Sequence, residues 1–352
     1  MGRRQRPILK NLLGALKDRA SQSKAALLSG PNTSSPHLAV LRATTHDPSS
    51  PPREKHVSVL LSFGHGSRLT ASCCVEAIMD RLHGTGSSSV ALKCLIAIHN
   101  IVRRGTFILQ DQLSIYPSAG GRNYLNLSNF RDDSSPEAWQ VCLWVRWYAR
   151  VLEQILFSSR ILGSFLSSSL FSSFDDGFKE TKEEVSALPN GHLLKEFDAL
   201  VGVVEEICKV PEYAHVRENR VVAEVIRLVG EDNLMAQREI LVRAMEMRER
   251  LSCLVFSDSV ELVCVLKRLE NCKEKLLFLS SNEKMKGGDA LLDLVGEMKE
   301  RIGAVEKCGE RRLVRKGKVS ESARLDSRVV VKSSDLVRFS SGRMELLPDS
   351  VM

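Results

Sequence analysis

The sequence predicts an all-α chain, a stack or bundle of helices followed by a short flexible C-terminal tail. Three observations carry this. Apolar residues recur at three- and four-residue spacing in one segment after another. Aromatic residues make up only 5% of the chain, and leucine, valine and alanine supply most of the apolar surface. No stretch alternates apolar and polar residues between hairpin turns, as a half-buried strand would. Strands favour aromatic and β-branched side chains, so this balance suits helices.

The elements follow in order. Ile8, Leu9, Leu12, Leu13 and Leu16 repeat at helical spacing, with Lys10, Lys17 and Arg19 on other faces. This helix is expected to share two roles, core packing foremost and lying on a membrane surface second. "SGPNTSSP" (29–36) is a turn-rich break, and a short apolar piece, Leu38 to Leu41, follows it. After a polar loop comes "HVSVLLSF", then "SRLTASCCVEAIMDRL" (67–82) with helical periodicity. "SSSVALKCLIAIHNIVRRG" (87–105) opens with serine caps, is apolar on nearly every face and stops at Gly105. A helix apolar all round belongs in the middle of a bundle, and His99 inside it is expected to be a hydrogen-bonded core residue. "SPEAWQVCLWVRWYARVLEQILFSSRIL" (135–162) is a long helix with proline in its first turn. A serine-rich stretch (164–190) lacks a pattern. Helical patterns resume at 192–209, 217–250, 257–279 and 288–305, with acids and bases alternating on outer faces. The chain of 352 residues is expected to divide into a helical domain over 1–308 and a flexible tail over 309–352 in which basic residues outnumber acids.

Composition narrows the function. A net charge of +7 permits an anionic partner without requiring one, but its placement is uneven. Arg3, Arg4, Arg6, Lys10, Lys17, Arg19 and Lys24 face a single acid, Asp18, in the first 24 residues. Nine cysteines without a C-x-x-C pair suggest reduced thiols serving as small apolar residues. No run of about 18 apolar residues is present to span a bilayer. The basic N-terminus lacks the apolar core of a secretory signal, and Arg6 stands where a myristoylation pattern wants serine or threonine.

Catalytic constellations are missing. Cys94 and His99 are five positions apart on one helix and therefore off-face, and no G-x-S-x-G elbow occurs. Neither phosphate-cradling glycine motif is present, and no helix carries the paired histidines or carboxylates of a metal site. No enzyme, metal or cofactor is expected.

One loop stands apart. "RATTHDPSSPPREKH" (42–56) holds Arg42 at one end and Arg53, Lys55 and His56 at the other, with almost nothing apolar between. Cations without aromatic neighbours suit phosphate better than bases, because single-strand binders need stacking platforms. Arginine offers a planar fork, lysine a point charge, and histidine a donor when protonated. On these residues alone an ordinary solvated loop explains the charges better than a binding site does.

A resemblance changes that. "LRATTHD…REKH" resembles the signature of ANTH domains, the membrane-binding modules of monomeric clathrin-assembly adaptors. "ALKCLIAIHNIVRRGTFILQDQL" (91–113), "NLSNFRDD" (126–133) and "WVRWYARVLEQ" (144–154) fit the same family in the same order. The likeness is strongest over 8–160 and implies an ENTH/ANTH-like superhelical fold. The family's lipid motif is a basic residue, nine positions, then basic, any, basic, and histidine or tyrosine. Arg42, Arg53, Lys55 and His56 match it, although ten residues (43–52) separate the first two and Glu54 occupies the free position. The resemblance implies a monomeric adaptor that binds phosphatidylinositol 4,5-bisphosphate and recruits clathrin at the cytoplasmic face of coated pits and vesicles. It also implies vesicle SNAREs as candidate partners and the Golgi as a candidate location. Thr45 and His46 are expected to be structural, and Asn126, Ser128 and Asn129 to be polar turn fixtures. Clathrin boxes are leucine-rich segments followed by acid. "MELLPDS" (344–350), with Leu346, Leu347 and Asp349, fits better than "LLDLV" (291–295), whose leucines are expected to face the core. Two rivals remain: a helical nucleic-acid-binding protein using the basic N-terminus and "VRKGK" (314–318), and a helical scaffold without lipid binding.

Overall fold

The computed structural model describes residues 5–28, 35–116, 125–166, 181–211, 219–280 and 291–302, and within 5–28 it places the side chains of 13–27. Thirteen helices and no strand occur among them. They are α1 (Gln5–Leu28), α2 (Pro36–Ala43), α3 (Glu54–Ser62), α4 (Arg68–His83), α5 (Ser88–Arg104), α6 (Phe107–Ser114), α7 (Pro136–Leu162), α8 (181–186), α9 (Asn190–Cys208), α10 (Arg220–Arg250), α11 (Phe256–Asn271), α12 (Lys273–Ser280) and α13 (291–302). No described helix is long and apolar enough to cross a membrane. The expected tail lies outside the described residues.

The helices stack in chain order. The α2–α4–α6 layer meets α5, α5 meets α7, α7 meets α9, and α9 carries both α10 and α11. The apolar run in α5 explains its central place: every residue from Val90 to Val102 is buried. At that density its polar groups must find partners inside. His99, as expected, is a hydrogen-bonded core residue. Its Nδ1 lies 2.7 Å from the Tyr148 hydroxyl of α7, and its Nε2 lies 2.6 Å from Asp232 Oδ2 of α10. One histidine thus ties together three layers.

The ends of α7 follow local chemistry, and the start of α5 does not. Ser135 caps α7 by accepting the Ala138 amide at 3.1 Å, Pro136 occupies the first turn, and Gly163 ends the helix in the left-handed region at φ 73°. The serines before α5 do not cap it with their side chains. Instead Asp132, from the loop before α7, accepts the Ser88 amide at 2.7 Å. Asn126 and Ser128 are turn fixtures as expected. Asn126 takes φ 27°, which asparagine tolerates, and its amide donates to Glu153.

Later layers are held by aromatic and ionic contacts. Trp144 and Trp147 meet edge to face at 5.5 Å, and Trp147 Nε1 donates to the Glu206 carbonyl of α9 at 2.9 Å. Arg268 on α11 grips both oxygens of Glu205 on α9 at 2.9 and 2.6 Å. The single helix expected over 257–279 is two, because the chain turns at Cys272. Leu291, Leu294 and Val295 of α13 are buried, so "LLDLV" faces the core.

Of the five apolar residues expected to carry the first helix, the side chains of Ile8, Leu9 and Leu12 lie outside the described residues. Leu13 is 55% exposed and Leu16 64% exposed, so neither packs in the core. The described part of α1 docks on α2 through a separate small cluster of Ala25, Leu38 and Leu41. Among its described side chains, Asp18 and Gln22 lead to the loop before α3.

Candidate anion-binding site

The loop 44–53 contains neither helix nor strand, so its shape depends on partners reaching it from elsewhere. The first is Lys93, in the second turn of α5. Its side chain is almost wholly buried at 1% exposure, and its ammonium donates to the Thr45 carbonyl (3.0 Å), Thr45 Oγ1 (3.1 Å) and the Asp47 carbonyl (2.7 Å). Burial lowers its pKa to about 8, although nearby Asp47 and Asp18 pull the other way. The second partner is Arg81 of α4, which donates to Thr44 Oγ1 (3.4 Å) and the Thr44 carbonyl (3.2 Å).

The third partner is Asp18 of α1. Its carboxylate accepts the His46 amide at 2.8 Å and the His46 ring nitrogen Nδ1 at 2.6 Å. Burial pushes the Asp18 carboxyl up, but the His46 hydrogen bonds and the His46 and Arg81 charges outweigh it and hold it below its usual range. Gly14, one turn earlier, makes room for this contact, since a Cβ there would stand 2.9 Å from His46 Cβ. Thr45 and His46 are therefore structural, as expected, but through long-range partners rather than local turn bonds. Within the loop, the Asp47 carboxylate accepts the Ser49 amide (2.9 Å), the Ser49 hydroxyl (2.6 Å) and the Ser50 hydroxyl. Burial raises the Asp47 pKa, and these hydrogen bonds more than reverse that, so the carboxyl stays below its usual range.

The pinned loop arches over a cavity of about 420 Å³ lined by Gln22 of α1, Arg42 and Ala43 of α2, Thr45, Asp47, Ser50, Pro51, Pro52 and Arg53 of the loop, and His56 of α3. That volume lies within the range of about 300–1,000 Å³ typical of small-ligand pockets. A smaller cleft beside it, between α2 and α3, shares Arg42 and His56. Of the four residues singled out from sequence, the structure brings three to one cavity. Arg42 is in the last turn of α2, Arg53 is the N-cap of α3 with extended backbone, and His56 is in the first turn of α3. Lys55 is exposed beside them and does not line the cavity. Partial burial lowers the His56 pKa, and repulsion from Lys55, Arg53 and Arg42 lowers it further. All three cations therefore act on one imidazole. The N-terminus of α3 adds its partial positive charge on the same side.

Glu54 does not oppose this field at the cavity. Arg104, at the end of α5, holds it bidentately at 2.7 and 3.3 Å, and that pairing, outweighing burial, keeps the Glu54 carboxyl below its usual range. Glu54 is also absent from the cavity lining. A second cavity of about 280 Å³ near α9 and α10 is lined by Glu196, Glu239 and Arg243, whose charges pair with one another. Leu346, Leu347 and Asp349 lie outside the described residues. Sequence reasoning missed Lys93, Asp18 and Arg81. The one available signal was a lysine inside the long apolar run of α5.

An all-α stack with a basic cavity between its second and third helices defines a class of helical module. The chain belongs to the ANTH domain family, whose domain matches residues 37–250. It is 50% identical over 344 residues to an Arabidopsis thaliana protein named "Putative clathrin assembly protein At4g40080", covering 95% of this chain and 93% of that one. Two further Arabidopsis thaliana proteins of the same printed description are similar. At5g10410 is 32% identical over 76% of this chain and 78% of its own length, and At5g65370 is 34% identical over 76% and 91%.

The pinning lysine generates a prediction. With a folded pKa of about 8 against about 10.4 in the unfolded chain, Lys93 binds more protons when unfolded between those values. It therefore makes stability rise with pH across that window, by an amount on the order of 3 kcal/mol in full. Urea unfolding between pH 7 and pH 10 should show this slope in the wild type and not in Lys93→Met. The same variant should exchange the amides of residues 44–47 faster, while its helical circular dichroism is kept. Equal slopes would mean that the ammonium is not buried in solution.

Proposed function

We propose that this protein is a phosphoinositide-binding clathrin adaptor that docks on the cytoplasmic face of membranes and recruits clathrin during vesicle formation. The convergence of Arg42, Arg53 and His56 on one cavity, with Lys55 alongside, supports it most directly. Two arginine forks and a histidine can reach different phosphates of one compact polyanion, which a single flat basic surface cannot do as selectively. Phosphatidylinositol 4,5-bisphosphate fits, with adjacent phosphates that two forks can share. Membership of the ANTH family and relatives named as clathrin assembly proteins support the adaptor role. The domain is taken to run over 1–308 with a tail over 309–352, acting as a monomer without a catalytic step.

Each arginine or lysine near an anionic membrane contributes about 1 kcal/mol, so three give about 3 kcal/mol before headgroup hydrogen bonds are added. That is millimolar binding on its own. Stable recruitment therefore needs the specific headgroup and several copies on one vesicle. In flotation with vesicles containing phosphatidylinositol 4,5-bisphosphate, the Arg53→Glu, Lys55→Glu double variant should stay at the bottom of the gradient with unchanged circular dichroism. Full flotation of that folded variant would move the site elsewhere. A parallel shift assay with DNA and RNA should show no binding that survives physiological salt.

Clathrin contact is assigned to "MELLPDS" (344–350), where Pro348 favours an extended chain and Leu346, Leu347 and Asp349 give the apolar-then-acid order. Removing residues 340–352 should weaken clathrin pull-down and leave vesicle binding intact. Undiminished pull-down would place the contact in the helical domain.

A further inference from the structure

The loop that frames the basic cavity also carries a hydroxyl into it. Ser50 lines the same cavity as Arg42, Arg53 and His56. It is followed by Pro51, Pro52 and Arg53, so an acceptor serine has proline at the next position and a cation at the third. Proline-directed serine/threonine kinases of the cyclin-dependent class read this arrangement. Proline brings no amide donor to be left unpaired and favours an extended chain, and the later arginine meets acidic groups on the kinase. The chain here has the required form: residues 50–53 are in neither helix nor strand, Ser50 is partly exposed, and Arg53 is extended at φ −69°, ψ 139°. Ser49 is followed by serine and does not fit.

We propose that Ser50 is a phosphorylation site whose phosphate fills the basic cavity and closes it to phosphoinositide. This rests on the reading of the cavity as a headgroup site. In the transfer, Ser50 Oγ forms a bond to the γ-phosphorus of ATP, the bond from that phosphorus to the β,γ-bridging oxygen breaks, ADP leaves, and the hydroxyl proton passes to the kinase base. The product carries about −1.5 to −2 charges and three strong acceptor oxygens.

Local charges direct where that phosphate goes. The Ser50 hydroxyl now donates to Asp47 Oδ2. Esterification removes that donor and sets a dianion beside a carboxylate that Ser49 still holds ionised. Repulsion from Asp47 turns the phosphate away, and the groups lining the cavity that can receive it are the charged Arg42 at the end of α2 and Arg53 in the loop, and His56 on α3, which a phosphate favours in its protonated form, with uncharged Gln22 on α1. Tethering gives the phosphate an effective concentration in the millimolar range or above, matching or exceeding what a single weakly held headgroup can supply. The same three side chains cannot serve both anions.

The test uses the full-length chain treated with ATP and a cyclin-dependent kinase, with the acceptor mapped by mass spectrometry. Incorporation at Ser50 and a fall of at least tenfold in vesicle affinity for phosphatidylinositol 4,5-bisphosphate are expected, while kinase treatment should leave the flotation of Ser50→Ala where it stood before treatment. No incorporation at Ser50, or a phosphorylated protein that floats as well as the unmodified one, would overturn the proposal and leave the lipid reading standing. If the unmodified protein itself does not float, the lipid reading fails. Phosphorus NMR of the phosphoprotein then decides whether the phosphate sits in the cavity. A second phosphate pKa depressed below the usual value of about 6, and restored by Arg53→Gln, supports the clamp. An undisplaced value overturns it.

Discussion

The buried ammonium of Lys93 is the constraint on which the loop around the basic cavity depends. A charged group taken out of water is tolerated only when its donors are fully used. Here they are used on the backbone of residues 45 and 47, a segment with no regular structure of its own. Irregular backbone is usually the softest part of a fold. In this protein it is fastened from beneath by the most buried helix of the stack, from one side by Arg81 and from above by Asp18. Arg53 and the start of α3 inherit their position from that fastening.

This arrangement separates the cations that hold the structure from those that face outward. Lys93, Arg81 and Arg104 are each committed, to loop carbonyls, to Thr44 and to Glu54 respectively. Arg42, Arg53 and His56 line the cavity instead, and their mutual repulsion is visible in the lowered pKa of His56. Such a cluster is unfavourable on its own, and an anion entering the cavity would relieve the repulsion. Glu54 illustrates the same economy: an acid at the centre of the motif is neutralised by an arginine on another helix and leaves the cavity field intact.

Much of the helical framework was legible in the sequence because it is set by local rules. The apolar run of α5, the serine and proline that open α7, and the glycine that ends it each speak through neighbouring residues. The spacing of Arg42, Arg53, Lys55 and His56 was legible through resemblance. What escaped was long-range pairing. Asp132 displaced the serines as the partner of the first α5 amide, Asp18 reached His46 from 28 residues away, and Lys93 reached the loop from 46 residues away. None of these leaves a periodic trace. Leu13 and Leu16 carry a core-like pattern but are exposed, and among the described residues of α1 it is Asp18, Gly14 and Ala25 that meet the rest of the chain.

On the function proposed for this protein, a pre-assembled basic cavity centred on His56 receives a multiply phosphorylated inositol headgroup. The most direct measurement is an NMR pH titration of the His56 ring with and without the soluble headgroup inositol 1,4,5-trisphosphate. Without ligand, burial and three neighbouring cations should place its pKa below the ordinary value of about 6.5. A bound phosphate favours the protonated ring, so the pKa should rise with ligand, and affinity should strengthen as pH falls from the bound-state value towards the free one. A His56 pKa that does not move at saturating headgroup would contradict the account.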